Sequence, residues 1–418
     1  MGGASPDQQQ ATATRPGEAG SGGPPPRGPS SWQLSLYFLR LGAVGFGGPV
    51  ALANAMRRDL VEQRQWLSEP EYEDGLAIAA ACPGPLAYQL GVYCGYVRHG
   101  IWGGLAVALA FGLAPFLLVV SAAWAYTRFT ASWQLRGLFY GVAPVVVALI
   151  VKACWNLGKK TLRRDAAAWV FFAAAFTITL VVQKELTAIF LVAGLLGIFV
   201  FAAGAPSSPS KPNPTSTAGP AATAAGMTLP FTAVAAGMPA KLFLFFFKTG
   251  CLVFGSGLVI VPFLKSYVVD QYHWLGNREF LDSVAIGMIS PGPVVITATF
   301  VGFLLAGFSG ALAATIGIFS PSVLFTVVAT PLLLRHRGNR RLAGFIRGVT
   351  VAVVGVLAGT TYLVAKSAIG DAFTVLIALA SLLVLTFRPK LPEPLLVGAG
   401  ALLGLVGFAL LHPAWVLH

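Results

Sequence analysis

Apolar residues fill the chain in blocks of about twenty, divided by short polar loops, and blocks of that length match the hydrocarbon thickness of a bilayer. They fall at 32–55, 75–96, 101–126, 136–157, 166–182 and 186–203. A second series falls at 241–264, 283–306, 308–334, 342–365, 372–387 and 394–411. The pattern predicts an all-α polytopic membrane protein. Residues 57–74 and 265–282 alternate acids, bases and Trp, so they are expected to lie along the interface. Trp66 and Trp274 are expected there as headgroup anchors. Two stretches break the pattern. Residues 1–30 hold few large apolar side chains and read as a disordered tail. Residues 204–239 are dominated by Pro, Ser, Thr and Ala and read as a flexible linker. The chain thus divides into one membrane repeat over 31–203 and another over 240–418.

The two repeats are copies. Sliding the sequence by 208 lays residues 37–89 on 245–297 without a gap, with 15 identities in 53 positions. FLRLGAVGFGG meets FFKTGCLVFGS, and the tryptophans and both PGP triplets fall in register. Gly100 and Gly103 then meet Gly307 and Gly310. Duplicated units are a recurrent plan of secondary transporters. Basic residues cluster at Lys159, Lys160, Arg163 and Arg164 in one half and at Arg335, Arg337, Arg340 and Arg341 in the other. These clusters sit one crossing apart in the repeat. If both face the cytoplasm, the halves are inverted, with an odd number of crossings each and one segment re-entrant. The first segment, interrupted by GAVGFGGP, is the candidate. Parallel halves are the alternative.

Composition supports the membrane reading. Charged residues make up 10% of the chain and mean hydropathy is +0.75, where a soluble domain carries about 25% charged residues. The net charge of +13 sits mostly in loops, as a topological signal and for anionic headgroups; nucleic acid is not an expected partner. No P-loop, catalytic triad or metal-ligand spacing is visible, so an enzyme and a bound cofactor are not expected.

Three features carry transport chemistry. The first is the pair of breaks Pro83-Gly84-Pro85 and Pro291-Gly292-Pro293, each inside an apolar run. Proline removes a backbone donor and clashes with the preceding turn. The amides that follow would face a cavity as an anion site, with Gln89, Ser290 and Thr297 as polar neighbours. A purely structural kink is the alternative. The second is Gly47, Gly48 and Pro49 against Gly255 and Ser256, where unwinding competes with close helix packing. The third is the aligned cation pair Arg40 and Lys248, each seven or eight residues into an apolar helix. They are candidates for drawing an anion inward; snorkelling to the interface is the alternative.

The FLRLG-x3-FGGP stretch, the QxW connector and the PGP break together resemble the chromate ion transporter family in its long, two-domain form. The resemblance covers about 32–200 and 240–410. It rests on Arg40, Gly42, Phe46, Gly47, Gly48, Pro49, Pro83, Gly84 and Pro85, with Lys248 and Gly250 in the second copy. It implies two homologous helical halves in an inverted-topology repeat with broken helices. It implies export of chromate across the bacterial inner membrane, driven by the membrane gradient and conferring resistance. The expected partners are chromate, with sulfate as the rival dianion, the lipid bilayer, and a second copy of the chain as a homodimer. A passive anion channel and a membrane scaffold are the rival classes.

Overall fold

The computed structural model describes residues 28–46, 48–129, 133–163, 165–182, 186–201, 237–255, 257–335, 340–388 and 391–411. Most of the expected tail and linker, 1–27 and 202–236, lies outside the described residues. The first half contains α1 (Ser31–Val44), α2 (Gly48–Met56), α3 (Glu69–Ala81), α4 (Leu86–Phe129), α5 (Trp133–Thr161), α6 (Ala166–Val182) and α7 (Leu186–Val200). The second repeats the order with α8 (Met238–Gly250), α9 (Ile260–Phe263), α10 (Asn277–Ile289), α11 (Thr297–Arg335), α12 (Arg340–Ala368), α13 (Ala372–Phe387) and α14 (Glu393–Leu411). Among the described residues five helices are long and apolar enough to cross a membrane. Leu109, Leu113 and Leu402 on these helices, and Phe199, Leu376 and Leu383 on the shorter apolar α7 and α13, are all exposed, as lipid-facing residues should be.

The start of each element is written in its sequence. Ser30 and Gln33 form a reciprocal cap on α1, and Ser68 and Glu71 form another on α3. Glu279 accepts from the Gly276 amide at the start of α10 at 2.9 Å. Each such cap satisfies amides that the first helical turn leaves without partners.

A straight α4 of 44 residues would run about 66 Å, twice the hydrocarbon core. It does not run straight. His99 and Gly100 leave helical geometry, with Gly100 at φ +63°. The chain doubles back there, so the Tyr88 hydroxyl donates to Ala108 O at 3.0 Å. The second copy turns at Ala306 and Gly307, φ +59°, and brings the Thr299 and Thr315 hydroxyls to 2.6 Å. Glycine carries this turn because a left-handed residue costs an L side chain about 1–2 kcal/mol. Each long helix is thus a short arm (86–98; 297–305) and a long arm (101–129; 308–335).

The first two apolar segments of the first half both return to the side they entered from. Tyr37 of α1 donates to Asp59 Oδ2 at 3.2 Å, and its ring meets Trp66 at 6.3 Å. Glu71, at the start of α3, pairs with Arg98, at the end of the short arm of α4, at 2.7 Å. The segment read as re-entrant and the PGP segment after it both fold as hairpins. The PGP break folds the chain back into a hairpin, and the Glu71–Arg98 pair closes its open end. The long arm of α4 and α5 are long and apolar enough to cross, and α6 and α7 follow as shorter apolar helices. Trp66 and Trp274 are both half-buried. Trp66 packs on Tyr37 and under Arg64 (4.7 Å), and Trp274 packs on Phe245 (5.9 Å), so each ties together the first hairpin of its own half.

The halves interlock. α5 lies in a cleft of the second half against α13 and α14, and α12 lies against α6 and α7. Gly141 meets Gly400 and Gly404, while Gly197 meets Gly344 and Gly348, backbone on backbone. Small residues at such crossings let helices pack closely where no hydrophobic effect drives them together. α5 and α12 are equivalent helices and run antiparallel. Arg347, near the start of α12, pairs with Asp165, just beyond the end of α5, at 2.6 Å. Tyr140, near the start of α5, donates to Asp371, just beyond the end of α12. The axis relating the halves therefore lies across the helices. The Arg347–Asp165 pair also brings Lys159, Lys160 and Arg163 to the same end as Arg340 and Arg341. Arg164 and Arg337 lie outside the described residues.

Candidate site at the crossed helix breaks

The hairpin tips meet across the halves rather than within them. The first PGP forms β1 (Gly84–Pro85), which pairs in parallel with β2 (Phe254–Gly255) in the second half. The Gly84 amide donates to Val253 O, and the Gly292 amide donates to Gly45 O at 3.0 Å. These two bonds are related by the same shift of 208 that aligns the sequence. Each copy's PGP break is thus stitched to the other copy's glycine-rich break.

Both central glycines need their conformation. Gly84 has φ +138° and Gly292 φ +88°. A Cβ on Gly84 would lie 2.5 Å from Ser322 Oγ and 2.6 Å from Gln89 Nε2. A Cβ on Gly292 would lie 2.9 Å from the Pro115 ring. Ser322 and Pro115 occupy equivalent places on the long arms of α11 and α4. The two breaks therefore share a backbone and differ in what faces them.

The polar atoms at the first break are unevenly satisfied. Gln89 is fully buried; its amide nitrogen donates to Pro83 O, while Oε1 has no partner. Ser322 and Thr326 are also fully buried, with hydroxyls that lack partners. A buried polar group left unpaired costs about 1–3 kcal/mol. At the second break the polar groups are used locally. Ser290 donates to Gly287 O at 2.9 Å, and Thr297 to Val294 O at 2.8 Å. The helix there starts as a 3-10 turn over Val294–Ile296, which consumes the Ile296 and Thr297 amides.

The break residues read from the sequence are brought together: Pro83, Gly84, Pro85 and Gln89 with Gly255, and Ser290, Pro291, Gly292 and Pro293 with the first-half glycine break. Pro49 lies half-buried in the first turn of α2, which Gly48 opens. Gly47 and Ser256 lie outside the described residues. The cations are not drawn in. Arg40 is exposed on the face of α1 opposite Leu34, Tyr37, Phe38 and Gly42, and has no hydrogen bond or ion pair among the described residues. Lys248 is exposed too, with its Nζ 5.9 Å from the Tyr267 ring. Both stand near the tips of their arms, on the outer side. Sequence reasoning missed Ser322 and Thr326. Nothing local distinguishes them from other helical hydroxyls; only the crossing of halves sets Ser322 against Gly84, with Thr326 one turn further along α11.

One acid also stands apart. Asp282 of α10 is 2% exposed and accepts from the Tyr126 hydroxyl of the other half at 2.7 Å, with Arg278 at 3.9 Å. Its counterpart Asp74 is only half-buried.

Interrupted apolar hairpins meeting between two interlocked copies define a polytopic membrane protein of the transporter kind, in which irregular backbone is sheltered inside the protein. The chain belongs to the chromate transporter family, whose model matches residues 32–198 and 240–405. It is 42% identical over 381 residues to a chromate transport protein of Cupriavidus metallidurans, covering 91% of this chain and 94% of that one. It is 41% identical to a probable chromate transport protein of Synechococcus elongatus, over 90% and 95% of the two chains. A chromate transport protein of Pseudomonas aeruginosa is 33% identical over 81% of each. No solved structure matches the chain.

Proposed function

We propose that this protein carries chromate out of the cytoplasm across the bacterial plasma membrane by alternating access, driven by an ion or potential gradient. The observation that carries the reading is the reciprocal stitching of the breaks, Gly84 to Val253 and Gly292 to Gly45, in a chain whose relatives are named for chromate transport. Paired interruptions supply backbone donors to an anion without an unsatisfied group facing lipid. The interlocked halves give two bodies that can rock about the stitched breaks, opening them to either side in turn. The shared end that carries Lys159, Lys160, Arg340 and Arg341 faces the cytoplasm on this reading, because short basic loops stay inside. The halves then lie inverted in the bilayer.

Radiolabelled chromate flux into everted vesicles tests this. Uptake above equilibrium that follows an imposed pH or potential gradient is expected. Uptake that stops at equilibrium under every gradient would mark a passive channel, and no uptake at all would remove the substrate.

A further inference from the structure

We propose that Asp282 takes up the coupling proton, on the outer side of the protein, and that the transporter exchanges this proton for chromate. The assignment rests on the transport reading above and names its coupling ion. Asp282 is the one buried carboxylate among the described residues, at 2% exposure. Asp59, Glu69, Glu71, Asp165 and Asp270 each pair with an arginine or lysine. Glu279 and Asp371 cap their helices. Asp282 has instead a neutral donor, the Tyr126 hydroxyl at 2.7 Å, with Arg278 only at 3.9 Å. Burial without a close counter-charge favours the protonated acid, and the hydroxyl favours the carboxylate. A site that must both load and unload a proton needs that opposition. The first half holds no equivalent. Asp74 is half-buried, and the hairpin it belongs to is closed by the Glu71–Arg98 ion pair at 2.7 Å. Leu305 stands where the second copy would place that arginine.

The carboxyl sits between the halves. Tyr126 belongs to the first half and Asp282 to the second. The Tyr126 ring packs on Phe139 of the first half at 5.7 Å and on Phe300 of the second at 5.3 Å. A change of charge on Asp282 therefore acts at the contact across which the two bodies rock. Its way to water is short, because Asn277, Arg278 and Glu279 in the first turn of α10 are all exposed. Tyr126 lies near the end of α4, beside the start of α5, and the basic clusters stand at the other end of α5. On the transport reading Asp282 is thus near the outer face, where the proton gradient of a plasma membrane delivers protons. Arg278 and Glu279 of its own helix and Tyr126 of α4 are the titratable groups that act on it. Arg128 of α4 rests over the Trp124 ring at 5.7 Å. The connector 264–271 carries Lys265 and Asp270, paired with each other, and Tyr267, stacked on Phe263. At this end α5 carries Arg136 and Tyr140, and α14 carries Glu393; none of these acts on the carboxyl. The turn 294–296 has no titratable residue, and α11 has none before Arg335 at its far end. The step is protonation alone. A proton from the outer water joins the carboxylate to give the neutral acid, and it leaves toward the cytoplasm as chromate moves the other way.

Everted vesicles, whose lumen is the outer side, test the assignment with the potential clamped and an acid lumen imposed. Wild type should accumulate labelled chromate above equilibrium. Asp282→Asn keeps an acceptor for Tyr126 but cannot take a proton. Its lumen-to-bath ratio should fall to unity, while it still exchanges trapped labelled chromate for external chromate at close to the wild-type rate. Tyr126→Phe removes a bond that favours the carboxylate. It should keep accumulation and move the luminal pH of half-maximal rate upward by about one unit, the worth of one hydrogen bond to a charged group. Asp74→Asn should accumulate as wild type does. Accumulation by Asp282→Asn at the wild-type ratio overturns the assignment. Loss of exchange together with accumulation overturns it too, since that marks a structural role. Where Asp282→Asn does not fold, the Tyr126→Phe profile decides, and an unmoved midpoint overturns the assignment. Wild type that accumulates chromate under a potential but not under a pH gradient refutes the proton while the transport reading stands. Wild type that takes up no chromate removes both.

Discussion

The first and second breaks began as one sequence and still share a backbone trace. Gly84 and Gly292 both take positive φ, and each donates its amide to the opposite half. Their surroundings have diverged. Ser322 and Gln89 face one, and the Pro115 ring and self-satisfied hydroxyls face the other. Duplication supplied a symmetric frame that both copies must keep in order to close. Only one copy then needed to keep unpaired polar groups, since each buried orphan costs stability.

The sharpest break of that comparison is at the glycines. Gly84→Ala should abolish flux, because the methyl enters the space between Ser322 and Gln89 and the residue must hold a left-handed φ. Gly292→Ala should cost a similar 1–2 kcal/mol of backbone strain, or roughly that order, yet retain measurable flux in the protein that folds. Flux per folded molecule, alongside thermal unfolding in detergent, separates the two. Equal loss of flux at equal folding would show that the breaks are functionally equivalent.

Next in size is the buried acid. Asp282→Ala strips the Tyr126 hydroxyl of its acceptor inside the protein and should destabilise the fold by about 1–3 kcal/mol. Asp74→Ala, at the half-buried counterpart, should cost less than about 1 kcal/mol. Denaturation midpoints of the two variants decide this, and a reversed order would show that burial is not what separates the halves.

Much of this frame was legible from the chain. PGP and the glycine runs act through the local backbone, so their positions and even their pairing by duplication could be read directly. The basic clusters located one common end because loop charge is a local signal, and the Asp165–Arg347 contact places them there. What could not be read depends on how the arms cross. Nothing in the sequence says that Ser322 meets Gly84, or that α3 and its partner arm form a hairpin closed by Glu71 and Arg98. Arg40 and Lys248, by their depth in an apolar run, are candidates either to draw an anion inward or to snorkel to the interface. Depth along a helix does not fix which face a residue takes, and both point outward.

That exposure makes a smaller effect the expected one for the cations. Arg40→Ala should lower kcat/KM for chromate a fewfold, more at low salt than at 0.15 M, since an exposed charge attracts at long range and is screened. Lys248→Ala should do less, its charge resting beside the Tyr267 ring. The salt dependence of initial rates checks both. Complete loss of transport in Arg40→Ala at every ionic strength would place the guanidinium in the site itself.

The smallest effect lies at the two clamps that tie α5 to α12. Arg347 pairs with Asp165 and also stacks over Phe201 at 4.8 Å, so Arg347→Ala removes charge and packing together. At the other end Tyr140 donates to Asp371. Partial burial raises the Asp371 carboxyl, but hydrogen bonds from Tyr140 and from Thr374 outweigh it and hold the group below its ordinary value. A depressed carboxylate contributes stability that is present above the unfolded pKa, near about 4, and lost as pH falls through the lower folded value. Tyr140→Phe should therefore destabilise slightly at pH 7, by less than about 1 kcal/mol, and the gap to wild type should close in acid. Arg347→Ala should keep a residual gap there, because the contact with Phe201 does not titrate. Melting curves of the two variants at neutral and acid pH compare the clamps directly. A gap for Tyr140→Phe that widens as pH falls would show that Asp371 is not the acceptor that matters.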